Sequence, residues 1–326
     1  MLLSESHIYL IFSFSISLVG SVLVMPLLLL FAQRNQFYDI PNQRSSHVLL
    51  VPRIGGIVFF TAFTVYVTYA NKDFDPWLLY FMLFGATFLF VIGLYDDLRS
   101  VKPVLKLLSQ ILALLGLVYF YHDAIERFRL HTIFEFISAD LFYVLVFCFF
   151  LVLINAVNLM DGIDGLAALV SINFFSVMAI IFFRSNHHHF SILSLVIIGS
   201  LLAFLFFNFS RKFKIFMGDC GSLLMGFLMC CFALQLMASS CCDPAMDQLS
   251  GNQLTYVFAA LFSLPIIDIF RVIILRVAKG KSIFHADRNH IHHILIDKKG
   301  KSHLFAAVVL FFIHLTIIIL ALVFLS

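Results

Sequence analysis

Long apolar runs separated by short polar segments set the pattern of this chain. Leu141–Ile154 carry no charge, the polar island Asn155–Ala167 follows, and Leu166–Phe183 are again uncharged. Apolar runs near or above ~18 residues are long enough to cross a bilayer as helices. Ten are predicted, at about 8–32, 54–70, 77–95, 104–121, 141–157, 166–183, 191–209, 222–238, 254–277 and 304–325, the second and fifth being short. The first is read as a span and not a cleavable signal, because it is long, lacks a basic stretch ahead of it and runs directly into Gln33-Arg34. No internal repeat or low-complexity linker interrupts the series. The expectation is an all-α integral membrane protein with about ten transmembrane helices, forming a single polytopic domain over 1–326.

Composition agrees with this. Of 326 residues 62% are hydrophobic and 12% charged, with 41 Phe, against roughly 25% charged in soluble domains. The net charge of +3 matters less than its distribution. With the N-terminus outside, 16 of the 21 Lys and Arg fall in inner loops. Only Lys72, Arg127, Arg129 and Arg184 fall outside, and Arg271 lies within a span. That asymmetry sets the orientation by the positive-inside rule and places both termini outside. No basic stripe interleaved with exposed aromatics points to nucleic acid. Cys148, Cys230 and Cys231 sit in spans as small apolar groups, and Cys241-Cys242 are adjacent and poorly suited to pair. CxxC spacings are absent, which argues against structural zinc.

The candidate chemistry lies in the polar segments. In the island, Asn158, Asp161 and Asp164 recur every three residues, so one helical turn would stack them on one face. Ionisable groups at a membrane boundary are costly, and a cluster of them is a functional hypothesis by default. Segment 39–56 has two prolines and a Gly-Gly pair; alone it reads as a basic anchor beside anionic headgroups. Adjacent Asp96 and Asp97 end the third span, with Lys102 and Lys106 beyond. Such a pair suits a divalent cation held with substrate phosphates or a general base, or is merely solvated at the interface. Asp219, between Gly218 and Gly221-Ser222 at the start of the eighth span, suits a metal-phosphate site, or is a helix cap with Ser222. Asp268 and Arg271, three apart in the ninth span, are expected to pair structurally. The loop at 122–140 reads as a surface connector and His187-His188-His189 as an outer run without function. His290, His292 and His293 lie in a basic loop better suited to phosphate than to zinc.

Together these stretches resemble the polyprenyl-phosphate N-acetylhexosamine-1-phosphate transferase family. The matching motifs are DxPxxRxxHxxxxPRxGG at 39–56, DDxxxxxxxxK at 96–106, NxxNxxDGxDGLA at 155–167, FMGDxGS at 216–222 and DRxHIHH at 287–293. All five fall on expected inner loops. The resemblance implies a multi-pass inner-membrane enzyme with a cytoplasmic active site. There a polyprenyl phosphate attacks the β-phosphorus of a UDP-N-acetylhexosamine, giving lipid-diphosphate-sugar and UMP. It implies Mg2+, with Mn2+ as a substitute, on Asn158 and Asp219, and activation of the lipid phosphate by Asp96 and Asp97. Lys106 would bind phosphate, Asp164 and Phe216 the uracil, and Arg288, His290, His292 and His293 the diphosphate and sugar, with Asp161 among the substrate-binding residues of the island. The final loop resembles the branch that takes simple N-acetylhexosamines, so UDP-GlcNAc is the expected donor. Several bacterial members have an eleventh span where ten are counted here. The remaining partners are the bilayer and, as one option for the oligomeric state, a second copy. A nucleotide-sugar or lipid-linked sugar transporter would also have ten spans and basic inner loops, but such sites lie near the midplane and often in repeats.

Overall fold

The structure is a computed structural model that describes residues 5–35, 37, 51–240, 250–280, 290–291, 294–298 and 300–325. The first half of the 39–56 motif, Cys241-Cys242, Arg288, His292 and His293 lie outside the described residues. The described chain is helical: α1 Glu5–Asn35, α2 Gly56–Tyr69, α3 Pro76–Leu98, α4 Pro103–Phe120, α5 His122–Leu130, α6 Ala139–Met160, α7 Leu166–Arg184, α8 His188–Asn208, α9 Gly218–Ser240, α10 Gly251–Leu261, α11 Ser263–Ala278 and α12 His303–Leu325.

Eight of these helices are long and apolar enough to cross a membrane, and α10 and α11 form a further pair bent by 65°. With the short apolar α2 of 14 residues, they account for the ten apolar runs. Two expectations change. The fifth run is not short, since α6 has 22 residues, and the ninth is broken. Pro265 is the cause of the break: it has no N–H to give the Leu261 carbonyl four residues back. The 122–140 segment also proves more than a connector. It contains α5, whose Arg129 is buried, bonds to Glu126 and donates to the carbonyls of Glu135 and Ile137 at 2.8 and 2.7 Å.

Helix starts follow local sequence. Asp75 accepts from the N–H groups of Trp77 and Leu78 at the start of α3, with Pro76 in the first turn. Ser250 and Gln253 form a reciprocal capping box on α10. At the centre stands α9, of whose 18-residue apolar window 94% is buried. In a bilayer helices associate by close packing and not by apolar preference, so small residues mark the contacts. A Cβ on Gly93 of α3 would lie 2.6 Å from the backbone of Cys220. That close approach brings the end of α3, with Asp96 and Asp97, against the first turn of α9.

Candidate active site

Asp97 joins α3 to α9. Its two carboxylate oxygens accept the backbone N–H groups of Asp219 and Cys220, each at 2.9 Å. These are first-turn donors with no partner inside the helix, and a carboxylate there also faces the positive end of the helix dipole. Asp97 is therefore the cap of α9, a role invisible in the local sequence because the partners lie 122 and 123 residues away.

With its own N–H held by Asp97, Asp219 presents its side chain to the site. Lys106 Nζ donates to Asp219 Oδ2, and Asn158 Nδ2 donates to Asp219 Oδ1 at 2.7 Å. Asn158 also donates to Ser222 Oγ at 2.8 Å, which in turn donates to the Gly218 carbonyl at 3.1 Å. Lys106 bridges back to Asp96 Oδ2 at 3.2 Å, while Asp96 Oδ1 accepts from Val101 N at 2.6 Å. Three motifs thus meet at one carboxylate. Ser222 is not the donor of an Asp219 cap, as the simpler sequence reading had it; it is the acceptor that orients Asn158.

The island does not stack on one helical face. Helix α6 ends at Met160 with Asp161 as its C-cap, and residues 161–165 turn sharply before α7. Asn158, in the last turn, faces Asp219. Asp161, half-buried, accepts from the Gly218 N–H and lies near Asp219, Asp97 and Arg53. Burial, then the neighbouring carboxylates of Asp219 and Asp97, push its carboxyl well above the usual range. Gly218 itself has φ +76°, and a Cβ there would strike the Arg53 carbonyl and the Asp97 carboxylate at 2.5 and 2.6 Å. Only glycine fits where these segments converge.

Asp164 forms a second cluster. Lys214 Nζ donates to its Oδ2 at 2.6 Å, and His303 Nδ1 lies 3.4 Å from the same oxygen. Burial works to raise this carboxyl, but His303 and Lys214 outweigh it and hold the group below its ordinary value. A depressed folded-state value means that the cluster stabilises the fold above the usual carboxylate range. That contribution is lost as the pH falls through the depressed value. The Lys214 ammonium also sits 5.4 Å from the centre of the Phe216 ring. Phe216 is fixed by its backbone: it donates to the Pro52 carbonyl at 2.8 Å and accepts from Gly55 N at 2.9 Å. The second half of the 39–56 motif is thereby laced to the FMGDxGS segment. His303 was missed by the sequence reading; a histidine opening the last apolar run beside a basic loop was its signal.

The last motif is anchored elsewhere. His290 is buried, with Nδ1 2.9 Å from Asp268 Oδ2, and Ile291 N donates to Asp268 Oδ1 at 2.8 Å. The expected Asp268–Arg271 pairing is a marginal contact of 4.0 Å. Helical spacing allows that pair, but the loop returning from α11 offers closer and better-aligned donors.

For a divalent cation the donor chemistry fits. Asp96 and Asp219 are bonded to Lys106, Asp97 and Asp161 lie beside Asp219, and Lys106 already places a cation on Asp219. Among the described residues no three His, Cys, Asp or Glu side chains form a metal-holding group by themselves. Mg2+ in general takes one or two carboxylates and completes its shell with water and substrate phosphates.

Carboxylates, an amide and a lysine thus converge at one end of a helical bundle, and residues 79–237 match the model of glycosyl transferase family 4. That segment carries three of the five motifs. Across a longer stretch the chain is 29% identical to a Bacillus subtilis (strain 168) protein named probable undecaprenyl-phosphate N-acetylglucosaminyl 1-phosphate transferase, over 96% of this chain and 84% of that one. It is 28% identical to the Yersinia pestis undecaprenyl-phosphate alpha-N-acetylglucosaminyl 1-phosphate transferase, over 79% and 69% of the two chains. It is also 28% identical to the Mycobacterium leprae decaprenyl-phosphate N-acetylglucosaminephosphotransferase, over 83% and 73%. The resemblance to the polyprenyl-phosphate N-acetylhexosamine-1-phosphate transferases, drawn from the motifs, therefore holds.

Proposed function

We propose that this protein transfers GlcNAc-1-phosphate from UDP-GlcNAc to a polyprenyl phosphate at the cytoplasmic side of the cell membrane, releasing UMP and starting a cell-envelope polysaccharide. The observation that carries the reading is Asp219 held between Lys106 and Asn158, on a helix start fixed by Asp97. Phosphoryl transfer needs positioning and charge neutralisation more than covalent help. An oxygen of the lipid phosphate forms a bond to the β-phosphorus, and the bond from that phosphorus to the oxygen bridging the two phosphates breaks. The electron pair leaves with UMP. Asp219 and Asn158 would hold Mg2+, which supplies neutralisation of diphosphate charge. Lys106 places a positive charge beside the reacting phosphates, and Asp96, bonded to it, sets its position. Asp164, Lys214 and Phe216 offer a carboxylate, a cation and a ring face of the kind a uridine needs.

A bent span is a further feature that a transporter would share. Here the break is packed by Leu261 and Phe262, 1% and 3% exposed, and Asp268 is tied to His290 and Ile291, which favours the transferase reading.

The test is purified protein with undecaprenyl phosphate and Mg2+, offered UDP-GlcNAc, UDP-GalNAc and UDP-MurNAc-pentapeptide at equal concentration. UMP release with transfer from UDP-GlcNAc is expected; preference for another donor overturns the sugar, and no release with any donor overturns the reaction. Orientation has its own test, resting on the loop charge bias. Cysteines placed at Ser100 and Arg211, in a background without native thiols, should label only from the cytoplasm, and one placed at Arg184 only from outside. Labelling of Ser100 or Arg211 positions from outside contradicts a cytoplasmic site.

A further inference from the structure

Two polar residues inside spans have no part in the site: Asn173 in α7 and His314 in α12, 3% and 0% exposed. A buried imidazole at membrane depth is expensive without partners, and here each nitrogen has one. His314 Nε2 lies 3.0 Å from the Leu261 carbonyl, the group that Pro265 leaves without its helical donor. Protonated on Nε2, the ring donates to that carbonyl, and Nδ1 faces the Asn173 amide at 3.4 Å. Asn173 also donates to the Phe311 carbonyl at 3.2 Å. The neighbouring Ala260 carbonyl is served by Ser263 Oγ at 2.7 Å. The break between α10 and α11 is thus bridged at the Leu261 and Ala260 carbonyls, the first by a donor from another helix. Beyond the joint, α11 carries Asp268, whose carboxylate holds His290 and Ile291 of the final loop.

We infer that His314 is a positioning residue. By supplying the donor that Pro265 lacks, it fixes the direction of α11 and so the place of the Asp268–His290 anchor and of the loop at that anchor. The effect on catalysis rests on the transferase reading above; the effect on the bend does not.

The joint predicts a definite pattern. His314→Gln keeps an N–H donor and should keep both the bend and the kinetics. His314→Leu leaves the Leu261 carbonyl unpaired, so α11 should swing. Partial straightening of a 65° bend moves the far end of a 16-residue helix by on the order of 10 Å. Misplacement of the loop should lower kcat/KM for UDP-GlcNAc by about tenfold to a hundredfold, mostly through KM. Pro265→Ala combined with His314→Leu restores an in-helix donor. The double variant should recover thermal stability while keeping the displaced α11 and the raised KM, a separation that a merely structural role does not give. The measurements are UMP-release kinetics, thermal unfolding and the spin-label distance between cysteines placed at Ser100 and Val277 in a background without native thiols. An unmoved distance in both His314→Leu and the double variant overturns the inference, as does a double variant with wild-type KM. If wild type itself releases no UMP, the transferase reading fails, and the distance alone decides the role of His314.

Discussion

Asp219→Asn is expected to lower UMP release about a thousandfold, with little change in folding. Several kcal/mol of charge stabilisation at the diphosphate is at stake, and each ~1.4 kcal/mol is a factor of ten in rate. The variant keeps an oxygen for Asn158 and leaves the backbone N–H of residue 219 on Asp97. Lys106 retains Asp96 at 3.2 Å, so no buried cation is stranded. Turnover should therefore collapse while the melting temperature stays close to wild type, and the residual activity should need more Mg2+. Near-normal turnover with an unchanged Mg2+ requirement would reduce Asp219 to a structural residue of the first turn of α9.

Asp97→Ala should damage both stability and rate. It removes the acceptor from two helix-start N–H groups, each bonded at 2.9 Å. A buried donor left without a partner costs about 1–3 kcal/mol, so the first turn of α9 loses on the order of 2–6 kcal/mol of support. Asp219 and the site around it then lose their fixed position. Asp97→Asn keeps one acceptor oxygen but turns an NH2 toward an N–H, and should fall between the alanine variant and wild type in melting temperature. Its turnover should drop more than its affinity for UDP-sugar, since a displaced reacting group is felt in kcat. An Asp97→Ala variant with wild-type melting temperature would show that the cap is dispensable. One that melts early yet turns over normally would remove Asp97 from the chemistry.

The spans were legible because a bilayer demands long apolar runs. The break in the ninth was not read, although Pro265 was its signal. The grouping of Asp96, Lys106, Asn158 and Asp219 was legible from polar residues stranded at the ends of apolar runs. The unread part is the pairing between distant segments. The three-residue spacing of Asn158, Asp161 and Asp164 suggested one helical face, but α6 ends at Met160; Asn158 and Asp161 meet residues 218–219, while Asp164 turns to Lys214. Asp268 looked like the partner of Arg271 because the two are close in sequence; its closer partner, His290, is 22 residues on. His314 and Asn173 were passed over as span residues, although a polar side chain at membrane depth is itself the signal that a partner must exist.

The clasp between Asp97 and the start of α9 also bears on how the protein is made. When Asp97 is added to the growing chain, the amides it will hold are still 122 residues from synthesis. Four more spans, α4, α6, α7 and α8, must enter the bilayer before α9 can arrive. Domains of a growing chain generally fold from the N-terminus onward, yet here the earlier spans wait on a later one for the contact that shapes the site. Activity therefore switches on late in biogenesis, and a chain stalled or truncated before α9 would be inserted in the membrane but inert.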